Sequence, residues 1–235
     1  MTLSTRKIES YKIFDEIANT YDFLNHFLSF GIDLYWRKKF LKNLPLGEPL
    51  AVLDLATGTG DVPIVLSSEK RIKKITGIDR SKEMVARGNF KIIKKNLSHK
   101  VNLEIGDGVE VPFPDNSFDV VTISFGIRNF SDPQKSLENI YKVLKPGGRA
   151  LIMEFALPKN WFIRKTYFFY FRNILPFLGN LMSGHKDAYS YLNQTVEDFP
   201  HGESFKRWMN EAGFANTSFD KFTFGIVNLY KGDKI

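Results

Sequence analysis

Short apolar runs alternate with longer stretches of helical spacing through the middle of this chain. The runs cover 50–56, 75–79, 101–105, 120–125 and 150–155. Strands that alternate with helices form βαβ units, whose right-handed crossovers give a parallel sheet with helices on both faces. We therefore predict an α/β protein with a doubly wound sheet.

The rest of the chain extends this core. Two further strands are predicted at 217–221 and 223–230. They should pair antiparallel, because the connection between them is too short for a crossover. The sheet would then be mostly parallel and seven-stranded. Without a linker or repeat, we predict one domain in four parts: a helical cover of two helices (1–45), a ligand-binding core (46–156), an inserted aromatic helical segment (157–195), and a helix with the antiparallel strand pair (196–235).

A glycine-rich turn follows the first predicted strand, where the chain reads Asp54 to Asp61 and includes Gly58, Thr59 and Gly60. Glycines at such a turn let the backbone approach a ligand closely. The turn lacks the third glycine of a dinucleotide-binding motif, and Asp61 would repel a diphosphate. It suits a ligand that carries positive charge, such as S-adenosylmethionine.

Polar residues also follow the next three predicted strands. Asp79 can accept both ribose hydroxyls, and Asp107, next to Gly108, can accept an adenine amino group. Ser124 closes the fourth strand. Each residue has a structural alternative, since Asp79 could cap the next helix and Asp107 could be a turn residue. Because the carboxyl ends of parallel strands meet at one edge of the sheet, the four positions together favour a binding site.

These residues resemble the class I S-adenosylmethionine-dependent methyltransferases, with Ala56 where many members have another glycine. Two further blocks, 21–37 and 124–130, resemble the signatures of the ubiquinone/menaquinone biosynthesis C-methyltransferase family, and several C-terminal pieces are similar to it as well. Its most specific feature here is the pair Arg128 and Asn129. Phe224 is a departure, because the family usually has a small residue before that glycine.

The resemblance implies a cofactor, a substrate and a set of site residues. The cofactor would be S-adenosylmethionine, held by the turn with Asp54, Gly58 and Gly60, and by a set of five further residues. These are Thr59, Asp79, Asp107, Gly108 and Ser124. The reaction would be C-methylation of a polyprenyl hydroquinone, such as demethylmenaquinol or a methoxy-polyprenyl-benzoquinol, and it requires no metal.

Ring methylation requires loss of a phenolic proton, because a phenolate donates electron density to the ring far better than a phenol. A guanidinium stays protonated, so we expect Arg128 to stabilise the phenolate rather than to accept the proton. Asn129 would orient a hydroxyl or a water, and Tyr21 with Asp22 would close the site. His185 is one candidate for the proton acceptor.

The inserted segment carries no acid between Glu154 and Asp187, yet it is rich in Phe, Tyr, Lys and Arg. Its helix could pack an aromatic face on the sheet while its cations remain solvated. Alternatively, it could cover an apolar substrate or touch a membrane interface, and the two interpretations are compatible.

Composition limits the remaining alternatives. The chain has 235 residues, a net charge of +7 and no cysteine, which excludes a disulfide framework, a thiolate zinc site and a cysteine nucleophile. A run of four lysines at 91, 94, 95 and 100 could indicate nucleic-acid binding, but such a run is more typical of a solvated helix face, so we expect no nucleic-acid partner.

Methylation of another small apolar acceptor also stays open. We expect a cytoplasmic protein that contacts the inner face of the membrane, and a homodimer is compatible with the sequence.

Overall fold

The structure, a computed structural model, describes residues 10–174 and 194–235. Its strands are β1 (Leu50–Leu55), β2 (Ile72–Asp79), β3 (Val101–Ile105), β4 (Phe118–Ser124), β5 (Leu144–Phe155), β6 (Ala215–Phe222) and β7 (Val227–Asp233). Within the described ranges they form one seven-stranded sheet in the order β3-β2-β1-β4-β5-β7-β6. The first five strands pair in parallel, and β7 lies antiparallel between β5 and β6. The predicted fold class is confirmed.

Helices cover both faces of this sheet. They are α1 (Ser10–Ile17), α2 (Tyr21–Leu28), α3 (Ile32–Arg37), α4 (Lys39–Lys42), α5 (Asp61–Leu66), α6 (Lys82–Lys94), α7 (Pro133–Val143), α8 (Trp161–Phe169) and α9 (Glu203–Glu211). The prediction of two helices in 1–45 was wrong, because four lie between residues 10 and 42. One break has a clear cause: Gly31 adopts a φ of 73° and separates α2 from α3.

Neighbouring residues of the central strands point to opposite faces of the sheet. Val120 and Leu151 join an apolar cluster with residues of α3, α4, α5 and α6. Val121 and Ile152 join a second cluster with residues of α7 and α9. Because both faces are buried, these strands read as continuous apolar runs, which is why their positions could be predicted.

The strand bounds differ from the prediction at the C-terminal pair. Residues Thr223–Gly225 form a 3₁₀ turn, so β7 begins at Val227 rather than at residue 223. Thr223, Phe224 and Gly225 all have positive φ, which a strand cannot accommodate.

The inserted segment is described only in part. It contains α8 and a short π-helical turn, Tyr170–Ile174. Residues 175–193, including His185, lie outside the described residues. None of the helices in the described ranges is long and apolar enough to span a bilayer.

Candidate active site

A cleft lies at the carboxyl ends of the parallel strands, next to β1 and β4, where the strand order reverses. Open α/β sheets bind their ligands at such a switch point. Seven of the residues predicted from the sequence line this cleft: Tyr21, Gly58, Asp79, Asp107, Gly108, Ser124 and Asn129. The remaining four, Asp54, Thr59, Gly60 and Arg128, lie outside its lining.

Asp79 ends β2 and ties the glycine-rich turn to this strand. Its Oδ2 accepts a hydrogen bond from the amide of Gly58 at 2.8 Å, and its Oδ1 accepts one from the amide of Ser81 at 2.9 Å. Burial raises the pKa of Asp79 even though backbone hydrogen bonds oppose this effect. Each carboxylate oxygen keeps lone-pair capacity for a further donor, such as a ribose hydroxyl.

The two glycines of the turn have different roles. Gly58 has a φ of 56°, and a Cβ built on it would meet nothing within 4 Å, so its backbone borders open space in the cleft. Gly60 has a φ of 80° and precedes the first residue of α5. A Cβ there would lie 2.9 Å from Leu103 Cδ1, so Gly60 serves the packing of the turn on β3.

Asp107 and Gly108 follow β3 at the far end of the cleft. Asp107 Oδ1 accepts a hydrogen bond from the amide of Val109 at 2.8 Å, and Arg80 Nε lies 3.7 Å from Oδ2. A Cβ on Gly108 would lie 2.4 Å from the ring of Phe130, which also lines the cleft. The glycine therefore allows Phe130 to form this wall.

Two buried polar atoms in the cleft have no protein partner. Ser124 Oγ and Asn129 Oδ1 accept or donate no hydrogen bond within the described ranges. Buried polar groups are normally hydrogen-bonded, so such atoms indicate a polar ligand. S-adenosylmethionine fits these residues, because its hydroxyl and amino donors match the Asp79 and Asp107 carboxylates, and its polar groups match the unpaired atoms.

Asp54 lies on β1, just before the glycine-rich turn. Its side chain is 1% exposed, and the hydroxyl of Thr122 on β4 donates a hydrogen bond to it. Burial raises the pKa of Asp54 to about 7. Asp54 lies outside the lining of the cleft, and its role in the cofactor site stays a prediction.

A charged cluster that the sequence analysis missed joins the helical cover to the turn. Lys91 Nζ lies 2.7 Å from Asp22 Oδ2, 2.6 Å from Asp61 Oδ1 and 3.1 Å from Thr59 Oγ1. The Thr59 hydroxyl also donates to Asp22. Arg37 Nη2 lies 3.6 Å from the other oxygen of Asp61. We call these residues the cover clamp.

The cover clamp corrects two expectations. Asp61 was expected to favour a cationic ligand, but its charge is offset by Lys91 and Arg37. Lys91 was expected on a solvated helix face, yet it joins α6 to α2, to α5 and to the glycine-rich turn. Neither contact could be read from the sequence, because Lys91 is 69 residues from Asp22 and 30 from Asp61.

A second polar group stiffens the cover itself. Asp33 is buried and accepts hydrogen bonds from Arg37 and, at 2.7 Å, from the Ser29 hydroxyl. His26 Nδ1 lies 2.7 Å from Oδ2, the oxygen that Arg37 also contacts, whereas the Ser29 hydroxyl donates to Oδ1. Burial would raise the pKa of Asp33, but Arg37 and the hydrogen bonds from Ser29 and His26 outweigh it and lower this pKa. The i, i+4 spacing of Ser29, Asp33 and Arg37 was the available sequence signal.

Tyr21 lines the cleft from α2. Burial raises the pKa of its hydroxyl, while Asn25, Arg37 and Arg128 oppose this effect. Arg128 itself is 5% exposed, and its Nη1 lies 2.8 Å from Glu154 Oε1. The predicted partner of Arg128 was the substrate. Glu154 was not predicted, because its only signal in the sequence is a single acid in an apolar strand.

The fold and the cleft together define a class I S-adenosylmethionine-dependent methyltransferase. Solved structures agree with the fold: a methyltransferase of this kind from Aquifex aeolicus matches with a TM-score of 0.63 at 21% identity, over 87% of this chain and 92% of that one. One from Thermotoga maritima has a TM-score of 0.65 at 20% identity, over 96% of this chain and 99% of that one.

Within this class of methyltransferases, the chain can be assigned to one family. The chain belongs to the ubiE/COQ5 methyltransferase family, whose model matches residues 2–234. It is 42% identical over 224 residues to the ubiquinone/menaquinone biosynthesis C-methyltransferase UbiE of Geotalea daltonii, covering 95% of each chain. It is 41% identical over 223 residues to the demethylmenaquinone methyltransferase of Bacteroides fragilis, covering 95% of this chain and 91% of that one. The chain is thus an S-adenosylmethionine-dependent C-methyltransferase.

Proposed function

We propose that this protein transfers a methyl group from S-adenosylmethionine to a ring carbon of a polyprenyl hydroquinone, such as demethylmenaquinol or a methoxy-polyprenyl-benzoquinol. One observation carries the proposal: Ser124, Phe125, Gly126 and Asn129 line the cleft beside the cofactor residues, and Asn129 Oδ1 is buried without a partner in the described ranges. The names of relatives that share 41–42% of its residues support the same substrate class.

The site residues have distinct roles in this proposal. Bound S-adenosylmethionine supplies an electrophilic methyl group on a cationic sulfur. Arg128 stabilises the phenolate form of the acceptor, and the Asn129 side chain holds one of its hydroxyls. Because burial raises the pKa of Tyr21, this residue stays protonated and acts as a hydrogen-bond donor.

The cover excludes water from the site. Tyr11, Phe14 and Tyr21 line the cleft from α1 and α2, and the rings of Phe14 and Tyr21 meet edge to face at 6.0 Å. The cover clamp holds α2 on the glycine-rich turn. Exclusion of water strengthens the electrostatic interactions that act on the acceptor.

Three aromatic rings pack against one another at the side of the cleft where we place the acceptor. The ring centroid of Phe125 lies 5.8 Å from that of Trp36 and 4.5 Å from that of Phe155. Phe125 also lines the cleft. Such a wall suits a flat, apolar acceptor ring with a prenyl tail.

The protein would meet this substrate at a membrane surface. Among the residues of α8, only Tyr167 is buried, whereas Trp161 and Phe162 are 72% and 70% exposed. Tyr167 packs with Leu24, and Phe168 and Phe155 border the same cluster, so only part of the aromatic face of α8 is packed on the protein. Arg164 and Lys165 are exposed on the same helix, and aromatic rings beside cations are typical of interfacial helices.

The cover contributes a second apolar surface next to α8. Phe23 and Phe27 stack at 5.8 Å while 58% and 49% exposed, and Phe30 is 81% exposed. The Tyr170 hydroxyl donates a hydrogen bond to Leu28 O at 2.6 Å, which places the two surfaces side by side. We call them together the aromatic rim, and we infer that it contacts the inner face of the membrane.

Transfer of label from S-adenosylmethionine tests the proposal. The protein is incubated with prenylated naphthohydroquinones, prenylated benzohydroquinones, and sterols or fatty acids as other apolar acceptors. Label on a ring carbon of either hydroquinone supports the proposal, and label on the other acceptors alone contradicts it. A homodimer stays a prediction, which sedimentation velocity can check.

A further inference from the structure

β5 carries a single carboxylate, Glu154, within an apolar stretch that ends the strand. Its side chain is 1% exposed. Burying a charge is costly unless the group is paired and hydrogen-bonded, so the surroundings of Glu154 must compensate for this cost. The proposed mechanism above gives Glu154 no role.

Glu154 is bonded to both the side chain and the backbone of one residue. Its Oε1 accepts hydrogen bonds from Arg128 Nη1 and from the amide of Phe155, each at 2.8 Å. Its Oε2 accepts a long one from the amide of Arg128 at 3.4 Å. The carboxylate therefore joins the end of β5 to the 3₁₀ turn Ile127–Asn129.

Other contacts hold the same side of the guanidinium. Arg128 Nη1 also donates to Phe125 O, and the ring of Phe155 lies 5.4 Å from the guanidinium carbon. In contrast, the Nε–H of Arg128 is buried and has no partner in the described ranges. The protein therefore binds Nη1 of the guanidinium, whereas the charged Nε–H has no protein partner in the described ranges.

We propose that Glu154 is a positioning residue for methyl transfer. It holds Arg128 so that the unpaired Nε–H of the guanidinium meets an oxygen of the acceptor ring. The inference rests on the proposed function, which assigns Arg128 to the phenolate. Glu154 lies outside the lining of the cleft and acts only through Arg128.

The pairing also sets the charge that the acceptor meets. An Arg128–Glu154 pair has no net charge, so a neutral hydroquinone binds beside a neutral pair. The other titratable groups that face the pair are Tyr21 from α2, Tyr167 from α8 and Tyr230 from β7, and burial raises the pKa of all three hydroxyls. Removing the carboxylate charge should therefore leave a net cation and make a bound phenol easier to deprotonate.

Glu154→Gln tests this role, because glutamine keeps the size and the bond to the Phe155 amide but lacks the charge. We expect kcat for a prenylated naphthohydroquinone to fall by about a hundredfold, since Arg128 is no longer held in place. The affinity for S-adenosylmethionine by calorimetry should stay unchanged. The ascending limb of kcat against pH should move to lower pH by about one unit.

Asp233→Asn is the matched control. Asp233 on β7 forms an ion pair with Arg149, Nε to Oδ1 at 2.6 Å, which also ties β5 to a neighbouring segment but lies away from the Glu154 end of the strand. This variant should keep the wild-type kcat and pH profile. An unchanged profile for Glu154→Gln, or a loss of kcat that comes with lost cofactor affinity, overturns the positioning role.

A second readout does not depend on the acceptor. In ¹⁵N NMR of the wild-type protein, restricted rotation should give resolved Nη signals for Arg128, and these should average in Glu154→Gln. If the wild type methylates no hydroquinone but this change occurs, the proposed function fails and the positioning contact stands. Nη signals of Arg128 that are the same in the wild type and in Glu154→Gln overturn the positioning role. If Glu154→Gln does not fold, Glu154→Asp, which keeps the charge but shortens the reach, should show the same averaging.

Discussion

The amide of Gly58 donates a hydrogen bond to Asp79 Oδ2 at 2.8 Å, which joins the turn after β1 to the end of β2. Two residues 21 positions apart thus form one side of the cofactor cleft. The positive φ of Gly58 makes this approach feasible, and the fixed carboxylate can then receive donors from the ligand.

Asp79→Asn should weaken the binding of S-adenosylmethionine. The amide has one acceptor oxygen instead of two, and the loss of a hydrogen bond to a charged group costs about 1.5–3 kcal/mol, or roughly tenfold to a hundredfold in affinity. Isothermal titration calorimetry measures this change. Asp220→Asn, on the exposed edge strand β6, should bind like the wild type, and equal affinities for all three proteins would refute the assignment.

Asp54→Asn should change the pH dependence of stability. The pKa of Asp54 is raised from the ordinary value near 4 to about 7, so the native state holds a proton that the unfolded chain has lost between these values. Its contribution to stability is complete below about pH 4 and is lost as the pH rises to about 7. Urea unfolding at several pH values should give a flatter dependence for the variant. Parallel curves for the two proteins would show that Asp54 is not protonated there.

Lys91→Met should loosen the cover clamp while the sheet stays folded. Asp22 and Asp61 lose their shared cation, so we expect amides of α2 to exchange with deuterium about tenfold faster, which corresponds to ~1.4 kcal/mol. Mass-spectrometric hydrogen exchange measures this. Lys94→Met, an exposed position on the same helix, is the control, and equal protection in both variants would contradict the role of the clamp.

Removal of the aromatic rim should release the protein from vesicles. Trp161→Ser with Phe162→Ser, and separately Phe23→Ser with Phe27→Ser, should each reduce co-sedimentation with vesicles of phosphatidylglycerol and phosphatidylcholine. Loss of the Arg164 and Lys165 charges should weaken binding by about 1 kcal/mol per cation, and only when the anionic lipid is present. Arg172 is left unchanged, because it pairs with Glu197 at 2.7 Å.

Leu46→Ser is the control for the aromatic rim. Leu46 is 97% exposed in the loop before β1, at the end of this strand opposite the cleft, so its loss should not alter vesicle binding. Wild-type protein that stays wholly in the supernatant would refute the membrane contact. The emission of Trp161 gives an independent measure, because Trp36 is buried and Trp208 packs against Phe199 and Phe205, so a blue shift with vesicles should disappear in Trp161→Phe.

The cofactor side of the site could be predicted because its signals are local. Asp79 and Ser124 end a strand, Gly58 and Asp107 lie shortly after one, and the carboxyl ends of parallel strands must meet. The acceptor side was predicted less well. Arg128 could be recognised as important, but its partner Glu154 is 26 residues away on a neighbouring strand.

The sequence by itself determined the order of strands and helices, since strands buried on both faces require continuous apolar runs and crossovers have one hand. It also determined several of the polar residues that line the cofactor cleft, such as Asp79, Asp107 and Ser124. Only the tertiary structure decided which charges are paired, as Lys91 with Asp22 and Arg128 with Glu154, and which aromatic residues stay exposed, as Trp161. Pairing and exposure depend on packing between distant segments, and neither has a periodicity along the chain.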